Sequence, residues 1–187
     1  MLESNLYVAL IHFPVINKKG KPIGSALTTI DLHDIARASI TFGIRGFYVI
    51  TPYEEQATLA TQVIDHWTKG VGGKLNPDRK KALELIRVAK TFEEAVSSIE
   101  QERKQTVVTI ATSAKKIPHS ITTGVLRKKL ENKASHVLIF GTAWGLADEL
   151  IDICDFILDP IYGDTDYNHL SVRSAVSIYL DRIRNDR

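Results

Sequence analysis

Cysteine is almost missing. Cys154 is the only one among 187 residues, so no intrachain disulfide can form, and a reducing, cytoplasmic setting suits the chain. It sits in an apolar run, the surroundings of an inert buried thiol rather than of a nucleophile. An excess of one charge is missing too. Lys and Arg number 24 against 22 Asp and Glu, and a net charge of +2 is too small to announce nucleic acid. Any basic face must come from local clustering. No apolar run approaches the ~20 residues of a membrane span. The acidic start, Met1-Leu2-Glu3-Ser4-Asn5, lacks the basic segment of a signal peptide. Internal repeats and low-complexity linkers are absent. So are a Walker loop, a GxSxG elbow, an HExxH pair among the six histidines and a CxxC pair. These gaps argue against P-loop, hydrolase and zinc chemistry. What remains, with 44% hydrophobic and 25% charged residues, is an ordinary globular composition, read as one domain over residues 1–187.

Strand and helix patterns alternate along the chain. Leu6–Phe13 is a short apolar run of β-formers ended by Pro14, the pattern of a central strand buried on both faces. Asn17–Pro22 (NKKGKP) is a loop with three lysines, either a solvated turn or a phosphate contact. Thr29–Gly43 reads as a helix. Asp31 can cap it, Asp34 suits its first turn, and Ile35, Ala38 and Phe42 share a face. Gly46–Thr51 is a second strand, parallel to the first through a right-handed crossover. Tyr53–Lys69 reads as a helix and Gly70–Gly73 as a flexible turn. Asn76–Ala89 is another predicted helix, with Pro77 at its first position. Thr91–Lys104 follows, with Thr91 and Glu94 as a capping box. Thr106–Ala111 is a third strand, Thr112–Ser120 a polar loop, and Thr122–Lys133 a short helix.

The stretch from His136 to Ala175 carries the clearest ligand signal. It reads as a strand (His136–Phe140), a glycine turn with a short helix (Gly141–Leu150), a strand (Asp155–Leu158), a tight loop (Asp159–Tyr167) and a last helix to about Arg184. The sum is five strands alternating with helices: an α/β protein with a mostly parallel sheet covered on both faces. Such sheets bind ligands in loops at the carboxyl ends of their strands. Gly141, Gly145 and Gly163 let backbone approach a planar ligand closely, although glycines after strands are also common turn formers.

Three segments in order resemble the motifs of SPOUT RNA methyltransferases. Asp34-Ile35-Ala36-Arg37-Ala38-Ser39 through Phe42-Gly43 resembles the first, and Val137–Glu149 (VLIFGTAWGLADE) the second. Asp155–Ile178, with the signature Tyr167-Asn168-His169-Leu170-Ser171-Val172-Arg173, resembles the third. The similarity is greatest to a small bacterial branch of SAM-dependent RNA methyltransferases. It implies a deep trefoil knot over about residues 136–187, a homodimer, an RNA substrate (tRNA or rRNA), no metal, and S-adenosylmethionine (SAM) held by the three loops. The final helix and the helix after Gly43 would lie near the dimer interface.

The cofactor contacts implied by this resemblance fall at Ala111 and Thr112, then at Phe140, Gly141, Thr142, Gly145 and Leu146. In the third loop they fall at Leu158, Pro160, Asn168, His169, Leu170, Ser171 and Ser174. Arg37 matches the arginine of ribose-methylating members and would bind phosphate or help activate the acceptor; a surface salt bridge to Asp34 or Asp31 is the alternative. Asp164 and Asp166 would serve as general base or hold the sulfonium, or else are turn residues. RNA would rest on Lys18, Lys19, Lys21, Lys115 and Lys116. Two positions depart from the family pattern. His169 stands where an asparagine is usual, and the usual acidic residue is replaced near Thr142–Trp144. A second reading is a knotted SAM-binding accessory protein without catalysis. A third is a generic nucleotide-binding α/β protein.

Overall fold

The computed structural model describes residues 5–185; residues 1–4 of the acidic start, and residues 186–187, lie outside them. The chain opens with β1 (Leu6–Ile11), then β2 (Val15–Ile16) and β3 (Pro22–Ile23), α1 (Thr29–Thr41) and β4 (Gly46–Ile50). Three helices follow, α2 (Glu54–Thr68), α3 (Val71–Leu75) and α4 (Pro77–Leu83), then β5 (Ile86–Ala89), α5 (Phe92–Arg103) and β6 (Val107–Ala111). The last part holds α6 (Thr123–Lys129), β7 (Ser135–Gly141), α7 (Asp148–Asp152), β8 (Phe156–Ile157) and α8 (Val172–Arg184).

Six strands form one sheet in the order β5-β4-β1-β7-β6-β8, and every pairing in it is parallel. β1 is flanked on both edges, and all six of its residues are buried, as an uninterrupted apolar run requires. Its alternate side chains feed two cores. Leu6, Val8 and Leu10 join α1, α4, α6 and α8 on one face. Tyr7, Ala9 and Ile11 join α5 and α7 on the other. Each buried aliphatic side chain contributes ~1.5–3 kcal/mol of transfer free energy. The sheet is thus held by burial, and its carboxyl edge is free to carry irregular loops.

Three expectations require correction, and one loop becomes more specific. The predicted helix Asn76–Ala89 stops at Leu83, and Ile86–Ala89 is a sixth strand beside β4. Asn76 does cap α4, accepting a bond from the Arg79 N–H at 2.9 Å. Gly70–Gly73 is not a flexible turn. It enters α3, where a Cβ on Gly73 would strike the Trp67 carbonyl oxygen and one on Gly72 the Trp67 ring. The cap of α1 is Thr28, and Asp31 lies one turn inside, its carboxylate accepting from Thr28 Oγ1 at 2.6 Å. The Asn17–Pro22 loop is the turn of a small hairpin formed by β2 and β3.

Candidate active site

β7, β6 and β8 are neighbours, so the loops that leave them lie side by side at the carboxyl edge of the sheet. The first loop is anchored by Thr112, whose N–H (3.0 Å) and Oγ1 (2.8 Å) both donate to the Ile139 carbonyl. The second loop is a tight turn. Its Gly145 N–H donates to Thr142 O at 2.9 Å, with Ala143 at φ 52 and Gly145 at φ 114. A Cβ on Gly141 would lie 2.5 Å from the Leu146 nitrogen, so only glycine lets this turn close. The third loop is tied to the first, because Asn168 Nδ2 donates to Ala114 O at 2.9 Å. It is tied to α8 by Tyr179, whose hydroxyl donates to Asp159 O at 2.7 Å and whose pKa burial pushes up to about 12.

The hairpin carrying Lys18, Lys19 and Lys21 is bonded directly to the second loop. Ile16 N donates to Gly145 O (2.9 Å), and Trp144 N donates to Ile16 O (3.1 Å). Asn17 fixes the hairpin turn by accepting from Lys19 N at 2.8 Å and Lys21 N at 3.1 Å. Three exposed lysines are therefore displayed on a fixed support beside the second loop. Beneath it, Thr142 Oγ1 bonds Ser25 Oγ, and Ser25 Oγ in turn meets His12 Nδ1 at 3.0 Å. His12 is wholly buried, and burial above all lowers its pKa and keeps the imidazole neutral.

The expected site residues divide into groups. Ala111, Phe140, Leu146, Leu158 and Pro160 bury their side chains in the core, so they offer the loops backbone only. Thr142, Gly145, Asn168, His169 and Leu170 stand at the loop surface. Ser171 caps α8, accepting from Ser174 N at 3.3 Å. Ser171 and Ser174 share with Arg37 an open groove of about 720 Å³ between α1 and α8. Asp164 and Asp166 are exposed in the third loop. Lys115 is exposed, whereas Lys116 is engaged by Asp159, which also bonds Ser120. Those two contacts hold the Asp159 carboxyl below its usual range.

Arg37 is not in a salt bridge with Asp31 or Asp34. Both carboxylates face Arg173 of the third motif, at 2.6 Å and 3.6 Å. Among the described residues the Arg37 guanidinium has no ion-pair partner and faces the groove. Arg173 was not among the expected site residues, and neither were Trp144 and Tyr167. Trp144 is 54% exposed and Tyr167 75%, and both ring systems lie 6.4 Å from His169. A tryptophan inside a glycine turn was the sequence signal for this aromatic rim. Cys154 fits an inert thiol: burial raises its pKa to about 11, and its Sγ donates to Leu150 O. Among the described residues no group of three or more His, Cys, Asp or Glu is placed to hold a metal ion. None of the described helices is long and apolar enough to cross a membrane.

A parallel sheet with three neighbouring loops at its carboxyl edge, and a helix returning from the third, defines a class. The fold is similar to that of SPOUT methyltransferases. A solved TrmH/SpoU tRNA modifying enzyme from A. aeolicus superposes with a TM-score of 0.57 at 16% identity, over 97% of this chain and 74% of that one. The chain belongs to the SAM-dependent RNA methyltransferase family, whose model matches residues 5–185. A tRNA (guanine-N(1)-)-methyltransferase from Oleidesulfovibrio alaskensis is 46% identical over 182 residues, 97% of this chain but 42% of that protein. The chain thus spans less than half of that relative. An uncharacterized protein of Aquifex aeolicus is 38% identical over 98% of this chain and 90% of its own length.

Proposed function

We propose that this chain transfers a methyl group from SAM to RNA, with tRNA as the substrate class, in the cytoplasm. The observation that carries the reading is the open backbone cradle of the three loops. Nothing lies within 4 Å of a Cβ built on Gly145 or Gly163, so a flat ligand meets no side chain there. When bound, SAM supplies a methyl group already activated on a sulfonium. The protein's share is orientation and proton removal. Thr142, Gly145, Leu146, Thr112 and residues 158–171 hold the donor; the buried Phe140, Leu146 and Leu158 fix the loops from below. Arg37 orients the acceptor phosphate or hydroxyl. Asp164 or Asp166 takes the acceptor proton. Lys18, Lys19, Lys21, Lys115 and Lys116 hold RNA phosphates, with Lys116 the weaker because Asp159 already engages it. The named substrate of the Oleidesulfovibrio relative favours tRNA for this chain.

The same reading includes a deep trefoil knot. Ile121 bonds the outer edge of β8, its N–H donating to Ile157 O at 2.8 Å, so the β6–α6 connection runs alongside β8, which supports a chain path wound about that strand. The α1–α8 groove, with Ala38, Phe42 and Ile178 on its wall, is where a second copy docks in the homodimer. Sedimentation of the purified protein tests the dimer; a monomer at all concentrations refutes it. A second reading has its own support. The Oleidesulfovibrio relative extends far beyond the matched segment, which leaves room for its named activity outside it. On that reading the segment is a SAM-binding module serving another catalytic unit. Calorimetry with SAM followed by radiolabelled methyl transfer to bulk RNA separates the two. Binding with transfer supports the enzyme, binding without transfer supports the module, and no binding at micromolar SAM sinks both.

A further inference from the structure

A second, smaller cleft lies on the other side of α1, about 290 Å³ in volume, between α1 and α4. Arg37 and Arg79 both line it, together with Asn76 and Asp78. Among the described residues neither guanidinium has an ion-pair partner. Arg79 is not a loose surface side chain, because its guanidinium stacks over the Trp67 ring at 4.6 Å from the centroid. Trp67 is itself clasped edge-on by His33 (5.6 Å) and His66 (5.2 Å). His33 Nδ1 is buried without a hydrogen-bond partner. Two cations in one cleft with a single carboxylate, Asp78, beside them leave one positive charge that an anion can complete.

We propose that this α1–α4 cleft is a phosphodiester subsite, in which Arg79 grips the backbone of the RNA substrate next to the nucleotide that Arg37 orients. The inference rests on RNA being the substrate. Charge supports a diester over free phosphate. Asp78 on the same cleft leaves a net single positive charge from the two arginines, which matches the single negative charge of a phosphodiester. Guanidinium forks suit such an anion better than ammonium groups. Arg37 borders the α1–α8 groove as well, so a strand seated in the small cleft ends at the rim of that groove, beside the acceptor position. The groups acting on His33 agree with a positive cleft. Burial, then Arg79, then Arg37 lower its pKa, while Asp34 alone opposes them.

The test uses hexauridylate and the intact protein, without SAM. In the wild type, hexauridylate shifts the His33 imidazole resonances and raises their titration midpoint. In Arg79→Gln both effects vanish, and the slope of log affinity against log salt becomes shallower by ~0.7, the share of one single-strand phosphate contact. Arg79→Lys, which keeps the charge and the stem over Trp67, retains part of the slope; calorimetry with SAM shows that both variants are folded. Equal slopes and equal His33 shifts in wild type and Arg79→Gln overturn the subsite. A His33 shift produced by inorganic phosphate and not by hexauridylate overturns RNA as its occupant. RNA binding through Arg79 without any methyl transfer overturns the enzymatic reading and spares this one; methyl transfer with an unchanged Arg79→Gln slope does the reverse.

Discussion

Replacing Arg173 by alanine should loosen the clamp between α1 and α8. The Asp31 side chain is 8% exposed and that of Arg173 31%, with Nη1 2.6 Å from Oδ1. Removing one partner of a fully buried pair costs ~3–5 kcal/mol, because the other charge is left without compensation. A fully exposed pair is worth ~0–1 kcal/mol. Here the acid is buried and the base half-exposed, and Thr28 Oγ1 still donates to Asp31 in the variant. The cost falls between the limits, at ~2–3 kcal/mol. At ~2–4 °C per kcal/mol for a chain of this length, Tm drops by ~4–12 °C. Urea unfolding at unchanged m-value gives the same quantity at 25 °C. The cycle with Asp31→Asn isolates the pair. The double variant should be more stable than the sum of the single losses implies, with a coupling of ~1–2 kcal/mol. A loss under ~0.5 kcal/mol for Arg173→Ala, or strict additivity, would refute the clamp.

Three further outcomes follow from the packing. Gly141→Ala pushes a Cβ onto Leu146 N and Gly145 C, both backbone, so SAM affinity should fall at least tenfold; Gly124→Ala in α6, with only Thr122 Oγ1 near at 3.8 Å, should leave it unchanged and stabilise by ~0.5–1 kcal/mol. Equal SAM affinity in Gly141→Ala and wild type would contradict the cradle. Stability should fall in mild acid. His12 and His136 have pKa values lowered first by burial, so below about pH 6.5 the unfolded chain takes up protons before the folded one. Stability from these groups is therefore complete above that pH and falls as pH descends, by at most ~1.4 kcal/mol per pH unit for each imidazole; a flat profile from pH 7 to 5 would count against it. Cys154, with its pKa near 11, should react with iodoacetamide at pH 7 far more slowly than a free thiol, and rapid stoichiometric labelling would show the burial to be wrong.

Local chemistry was legible in the sequence wherever one element decides its own form. β1 followed from its apolar run and the α5 cap from Thr91. Thr91 accepts from Glu94 N, and Glu94 accepts in return from Lys90 N, one residue before the expected box partner. What failed depends on partners distant in the chain. Ala82, Leu83 and Ile86 keep helical spacing, so β5 was invisible until β4 supplied its hydrogen bonds. The two-residue strands of the hairpin are too short for periodicity and are fixed instead by Gly145 and Trp144. Arg173 and Asp31 are 142 positions apart, Ser25 and Thr142 are 117 apart, and no local rule pairs them. The three loops proposed to hold the cofactor are each local in sequence, whereas the surroundings of Arg37 depend on residues far along the chain. The alternative of a salt bridge from Arg37 to Asp31 or Asp34 fails because Arg173 takes both carboxylates, a pairing no local pattern announces.

That division also orders the experiments. SAM calorimetry probes the proposed donor cradle around Gly145. The acceptor side needs RNA. The most direct measurement is mass spectrometry of nucleosides from the RNA of cells lacking this chain, and of the same cells complemented with wild type or Arg37→Ala. The account predicts one methylated nucleoside that disappears on deletion, returns with the wild type, and stays reduced with Arg37→Ala while SAM binding by that variant persists. Identical nucleoside profiles with and without the chain would contradict RNA methyl transfer.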